Sequence, residues 1–245
     1  MKRAADKSLI EELQRQILKI QGNQPHSDQD HSLGLGAIEQ AFPGKVFPRA
    51  AVHELISVNP ESAASTSGFM SVILSALMAQ NGSCLWISTR RTLFPPALKT
   101  FGIEPDRILF VDVDNVKQAL GATEEALKCN ALTAVVGEFT ALSFDESRRL
   151  QLAVEQSKVT GFIHRYQPKI ENTVACVSRW KITPLFSNLP DDLPGMGFPR
   201  WNVELLKVRN GKPASWQVQW SPLGGLEYLP TKEHSLPNTY TRQTG

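Results

Sequence analysis

VHELISV-NPESAASTSG-FMSVILSALMAQ, residues 52–80, is the stretch on which the reading of the fold turns. An apolar run rich in β-branched residues passes into ten small or polar residues and then into a long apolar segment. The pattern predicts a strand over 52–58, a loop over 59–68 and a helix over 69–80. A strand that enters a loop and then a helix is the architecture of a phosphate-binding loop, in which backbone amides at the helix N-terminus cradle an anion. The chemistry also needs Gly-Lys-Ser/Thr at the end of the loop, the lysine for the outer phosphates and the hydroxyl for magnesium. The corresponding place reads Gly68-Phe69-Met70. Neither Phe69 nor Met70 can do that work, so the expectation is a polar connection that holds no nucleotide and supports no turnover.

The same alternation continues outward. Apolar runs recur at CLWIS (84–88), ILFVDV (108–113), TAVVGEF (133–139) and TGFIHR (160–165), with helix-like stretches at about 94–101, 116–129 and 145–157 between them. Strands that alternate with helices of this length imply right-handed crossovers and a mostly parallel sheet covered on both faces. The fold class is therefore α/β. Beyond Arg165 the pattern changes to VACVSRWKITPL, WNVELLKVRNG and SWQVQWS, with the hairpin signal Asn210-Gly211, which predicts an antiparallel extension of the sheet. SNLPDDLPGMGFP, residues 187–199, should be an irregular loop. Residues 8–21 carry Ile10, Leu13, Ile17 and Ile20 at spacings of three and four and predict an amphipathic helix. The expected layout is an N-terminal helix over 1–21, a linker over 22–45, a core over 46–223 and a flexible tail over 224–245.

With 245 residues, 41% of them hydrophobic, the chain can bury one substantial core without disulfides. Lysine and arginine total 26 against 24 acidic residues, so the whole molecule lacks the positive field that drives non-specific nucleic-acid binding. Cys84, Cys129 and Cys176 stand far apart and show no metal-ligand spacing. MKRAADKSLIEELQ has no apolar run after its basic residues, and no segment reaches the ~20 apolar residues of a membrane span, so a cytoplasmic protein is expected. No cofactor and no metal is expected.

Arg179 and Lys181 in SRWK, and Arg200 beside Trp201, interleave cations with aromatics and are candidate DNA contacts. Strand alternation instead packs Trp180, Trp201, Trp216 and Trp220 inward, and this is the favoured reading. Arg90 and Arg91 form either a basic patch or a solvated strand-end cluster. The apolar stripe Ile10, Leu13, Ile17, Ile20 must be buried, either on another molecule or on its own core.

NPES before an apolar helix, then CLWISTRRTLFPPALKTFGIEPDRILFV and ALTAVVGEFTAL, is similar in order and spacing to the RecA recombinase core. More narrowly, VHEL, TLFPPALKTFGIEPDRILFVDV, EEALKCNALTAVVGE, SRRLQLAVEQS and GMGFPRWNVELLKVRNGKPASWQVQW resemble the ImuA family of bacterial proteins, associated with SOS-induced mutagenesis, over about residues 46–221. This resemblance implies a RecA-like core and a role in error-prone translesion synthesis. The implied partners are an ImuB-type inactive Y-family polymerase, a DnaE-type polymerase and RecA, with self-association through the N-terminal helix as a further possibility. The departures from RecA fall on its catalytic positions: Arg90 stands where RecA has its catalytic glutamate, and Gly137-Glu138 where it has a magnesium-linked aspartate. Glu138 could substitute only by a one-residue shift, which turns it to the other face of the sheet. The alternatives are a SulA-like division inhibitor, also a RecA-like protein without ATPase residues, and a divergent ATPase using Glu138.

Overall fold

The computed structural model describes residues 32–187 and 197–230. Nine strands form one sheet: β1 (Val52–Ser57), β2 (Cys84–Ser88), β3 (Ile108–Asp112), β4 (Ala134–Phe139), β5 (Thr160–Tyr166), β6 (Ser178–Leu185), β7 (Arg200–Val208), β8 (Ala214–Ser221) and β9 (Gly225–Tyr228). Their order is β3-β2-β4-β5-β1-β6-β7-β8-β9. The first six in that order run parallel, and β7, β8 and β9 extend the sheet in antiparallel fashion. This is the α/β architecture, mostly parallel with an antiparallel extension, that the alternation of apolar runs predicts.

Helices α1 (Pro60–Leu77), α2 (Val116–Leu127) and α3 (Phe144–Ser157) supply the longer crossovers. Helix α1 covers one face, where Phe69, Met70 and Ile73 meet Leu55, Trp86, Phe162 and Trp180. Helices α2 and α3 cover the other, over Val52, Ile87, Val135 and Ile163. Each begins at a side-chain cap: Asn115 accepts from the Gln118 amide at 3.0 Å, and Ser143 with Glu146 forms a reciprocal capping box.

The core extends beyond its expected limits at both ends. Residues expected to form a linker, Leu33, Leu35, Ile38, Ala41 and Phe42, are buried in the α1-side core. Gly34 and Gly36 take positive φ and let the chain turn so that the apolar residues beside them face inward. Part of the expected tail, Gly225–Tyr228, is strand β9, and the Tyr228 hydroxyl accepts from the Ile38 amide at 2.8 Å while donating to the Leu35 carbonyl. The predicted helix with Ile10, Leu13, Ile17 and Ile20, and most of the loop predicted over 187–199, lie outside the described residues.

Candidate functional site

In an open parallel sheet the ligand crevice lies beyond the carboxyl ends of strands whose connections leave toward opposite faces. Here β1 leads to α1 on one face and β4 leads to α3 on the other, with β5 between them. The candidate crevice is therefore at the carboxyl end of β1, β5 and β4.

The connection from β1 is far shorter than expected. Only Val58 and Asn59 separate Ser57 from Pro60, and the stretch predicted as a loop, 59–68, forms the cap and opening turns of α1. Local chemistry explains this: the Asn59 side chain accepts from the Ser62 amide at 2.8 Å, Pro60 sits in the first turn, and Ala63 and Ala64 follow. No glycine interrupts the run between Ser57 and Gly68, so nothing opens the backbone into a cradle. Gly68, Phe69 and Met70 thus lie well inside the helix and belong to the core. A Cβ on Gly68 would stand 2.9 Å from the Trp201 ring, and Phe69 packs edge-on against Trp201 and tilted against Trp180. Counting the eight-residue phosphate-loop spacing from Asn59 puts Ala64, Ser65 and Thr66 where Gly-Lys-Ser/Thr belongs. That register, which the loop prediction obscured, also lacks the lysine.

The carboxyl ends of the three strands are closed by a chain of side chains. Thr66 Oγ1 lies 2.8 Å from Ser57 Oγ, which lies 2.9 Å from His164 Nε2, and His164 Nδ1 lies 3.3 Å from Glu138 Oε1. With a proton on Nδ1 directed at Glu138, His164 accepts from Ser57 at Nε2, which leaves Ser57 to accept from Thr66. The order Ser57–His164–Glu138 has the connectivity of a nucleophile relay. Ser57, however, is wholly buried with the Thr66 hydroxyl against it, so no acyl group can reach it.

The other positions singled out for a nucleotide are separated in space. Gly137 faces α2, where an added Cβ would stand 2.6 Å from Thr123 Oγ1 and 2.8 Å from the Phe139 ring. Glu138 faces away from Gly137, as alternation requires, on the same side of the sheet as α1. Arg90 is exposed just beyond β2. Its neighbour Arg91 is held to Asp112 at 2.8 Å and lies 5.0 Å from the centre of the Phe110 ring, so of the two arginines at this strand end Arg91 is engaged by a carboxylate and a ring.

A second cluster occupies the α2/α3 face. Glu54 is fully buried and receives Arg165 Nη1 at 2.9 Å and Arg179 Nε at 2.5 Å. Arg165 Nη2 donates to the Ile170 carbonyl and Arg179 Nη2 to the Asn172 carbonyl, which ties the segment after β5 over the cluster. Arg179 is thereby removed from the candidate DNA contacts, because its guanidinium is engaged by a buried carboxylate. Arg200 Nε donates to Gln219 at 2.7 Å, and Lys181 is half-buried on the same side of β6 as Arg179. Trp180 and Trp201 are buried as alternation predicts, and Trp216 and Trp220 pack half-buried against the core. The signal for the cluster was a charge within each of two adjacent apolar runs, VHELIS and TGFIHR.

His53, also buried, lies against the Pro48 carbonyl at 2.7 Å and Ser178 Oγ at 2.6 Å. Because a carbonyl only accepts, Nε2 carries the proton and Nδ1 accepts from Ser178. Desolvation lowers the His53 pKa to about 4, against the opposing effect of its bond to Pro48. Among the described residues no group of three or more His, Cys, Asp or Glu side chains is placed to hold a metal ion, and no helix is long and apolar enough to cross a membrane.

A scan of the chain against protein-family models finds no match. Among curated proteins it is 32% identical over 205 residues to Protein ImuA of Caulobacter vibrioides, in both strain NA1000 / CB15N and strain ATCC 19089 / CIP 103742 / CB 15. Each alignment spans 79% of this chain and 84% of the relative. Identity at this level over most of both chains, on the fold and site just described, places the protein in the ImuA family.

Proposed function

We propose that the chain is a non-catalytic RecA-like accessory protein of SOS-induced, error-prone translesion synthesis. It acts by binding an ImuB-type inactive Y-family polymerase, a DnaE-type polymerase and RecA, and it uses no cofactor. Membership of the ImuA family supports the connection with SOS mutagenesis.

One observation carries the non-catalytic part of the reading. Where strand and helix would have to part to admit a phosphate, Thr66 is bonded back onto Ser57, and Ser57 onto His164. Binding a nucleotide there would break this chain and leave buried hydroxyls unpaired, at about 1–3 kcal/mol for each group. No lysine at the motif position would offset that cost.

The divergent ATPase has one observation in its favour, the location of Glu138 on the α1 side of the sheet. Its carboxylate is engaged by His164, which weakens that alternative. The experiment mixes the protein separately with the host's ImuB-type protein and with RecA, and follows co-elution by size-exclusion chromatography with and without residues 1–21. Co-elution without any ATP requirement supports the reading, and loss of the complex with the helix locates the contact. Absence of a complex with either partner sinks it, and magnesium-dependent turnover abolished by Glu138→Gln would establish the alternative.

A further inference from the structure

On the face of the sheet away from α1, a groove of about 420 Å³ runs between α3 and the segment that leads into β6. Its apolar walls include Phe144, Leu152 and Val174, with Phe144 and Leu152 half-exposed. Its charged groups are Arg148, Lys207, Arg209 and Glu155. Glu155 accepts from Gln151 at 3.2 Å. Lys207 reaches the Val174 carbonyl at 3.2 Å, whereas Arg148 and Arg209 have no side-chain hydrogen bond or ion pair among the described residues.

A second feature lies beneath. Below the floor residue Cys176, Arg165 and Arg179 face the single carboxylate Glu54, so the protein under the groove holds one positive charge more than it neutralises. Burial, reinforced by the charge of Glu54, pushes the Cys176 thiol up to about 12 despite these cations, so it lines the groove as an apolar group and not as a thiolate. A low-dielectric floor strengthens the field that such a surplus projects into the groove.

We propose that this groove docks an acidic peptide segment of a partner protein. Two adjacent apolar side chains cover Phe144 and Leu152, one turn to either side of Arg148, and flanking carboxylates meet Arg148, Lys207 and Arg209. Charge complementarity selects an anionic occupant. The apolar wall selects a peptide over a nucleic-acid backbone, because phosphates and sugars offer nothing to cover the half-exposed Phe144 and Leu152. The proposal rests on the protein-binding reading above and specifies one surface for it.

The test uses the full chain and a fluorescein-labelled peptide of about twelve residues, composed of Asp, Glu and Gly around a central Leu-Phe pair, followed by fluorescence anisotropy. Saturable binding is expected, weakened by added salt and by exchange of Leu-Phe for Ala-Ala, and lost when lysines replace the acidic residues. Arg148→Glu with Arg209→Glu should weaken it by about tenfold or more. Both are exposed and unpaired, so the thermal midpoint of the double variant should match the parent, and Leu152→Asp supplies an independent loss on the apolar wall. Absence of peptide binding, or undiminished binding to the double variant, overturns the proposal. So does tighter binding of a single-stranded oligothymidine lost with the same substitutions. Co-elution of the parent protein with its polymerase partner distinguishes the two failures: a complex that survives in the double variant removes the groove and leaves the protein-binding function standing.

Discussion

Replacing Glu54 with alanine removes one carboxylate and leaves two guanidinium groups facing each other inside the protein. Glu54 is fully buried, the Arg165 side chain is 2% exposed and that of Arg179 15% exposed, so water can rehydrate Arg179 only in part and Arg165 hardly at all. Removing one partner of a buried ion pair costs about 3–5 kcal/mol, because the remaining charge is left uncompensated. Here two cations lose the same partner, which places Glu54→Ala toward the upper end of that range. At about 2–4 °C per kcal/mol for a domain of this size, the melting temperature should fall by roughly 6–20 °C. Arg179→Met should cost less, on the order of 1–3 kcal/mol, since Glu54 keeps Arg165 and the lost partner was already near solvent. The assay is urea unfolding followed by tryptophan fluorescence, with free energies compared at equal slope, beside thermal melts of the same variants. A Glu54→Ala variant within about 1 kcal/mol of the parent, or less harmful than Arg179→Met, would refute the reasoning, because the cluster would then contribute no more than an exposed pair.

Three further outcomes follow from individual contacts. Asn59→Ala, which leaves the Ser62 amide without its cap, should cost about 1 kcal/mol in urea unfolding, whereas Asn59→Ser should be nearly neutral. His53, neutral in the folded protein with its pKa at about 4, takes up its proton near pH 6.5 once unfolded. Its contribution is thus intact above pH 6.5 and lost as pH falls toward 4, by roughly 3 kcal/mol at 1.4 kcal/mol per unit. Unfolding measured across that window should show a shallower slope in His53→Gln than in the parent, and identical slopes would count against the assignment. Gly137→Asp, which restores a carboxylate at the RecA-like position, should lower stability by about 1–3 kcal/mol because its Cβ meets Thr123 and Phe139. Even combined with Ala64→Gly and Ser65→Lys it should give no magnesium-dependent phosphate release in a coupled assay.

Periodicity carried the parallel sheet almost residue by residue. CLWIS is β2 without adjustment, and TGFIHR differs from β5 only by Tyr166, because short β-branched runs between turn residues have few other folded states. The opening of α1 was not legible in the same way. The seven residues 62–68 are all small and carry no apolar periodicity, and only the Asn cap and the proline behind it mark a start. The inward packing of Leu33, Leu35 and Ile38 is hidden for a related reason: Gly34 and Gly36 have the composition of a linker, yet at positive φ they turn the chain so that its apolar residues meet the core.

The site divides along the same line. That Phe69 and Met70 cannot serve a phosphate was readable from side-chain chemistry alone. The bonding of Thr66 to Ser57 and of His164 to Glu138 was not, because it depends on the register of β1, β4 and β5, which brings Ser57 beside Tyr166 and Glu138 beside His164. The pairing of Arg179 with Glu54 was likewise hidden, since a cation on a strand gives no sign of which carboxylate a neighbouring strand will place against it.

The most direct test of a protein that binds partners without turning over nucleotide is the dissociation constant of its complex with the host's ImuB-type polymerase homologue, measured by analytical ultracentrifugation with and without saturating magnesium-ATP. The account predicts a complex of equal affinity in both conditions and no phosphate released. Absence of the complex, or a complex that forms only with ATP, would contradict it.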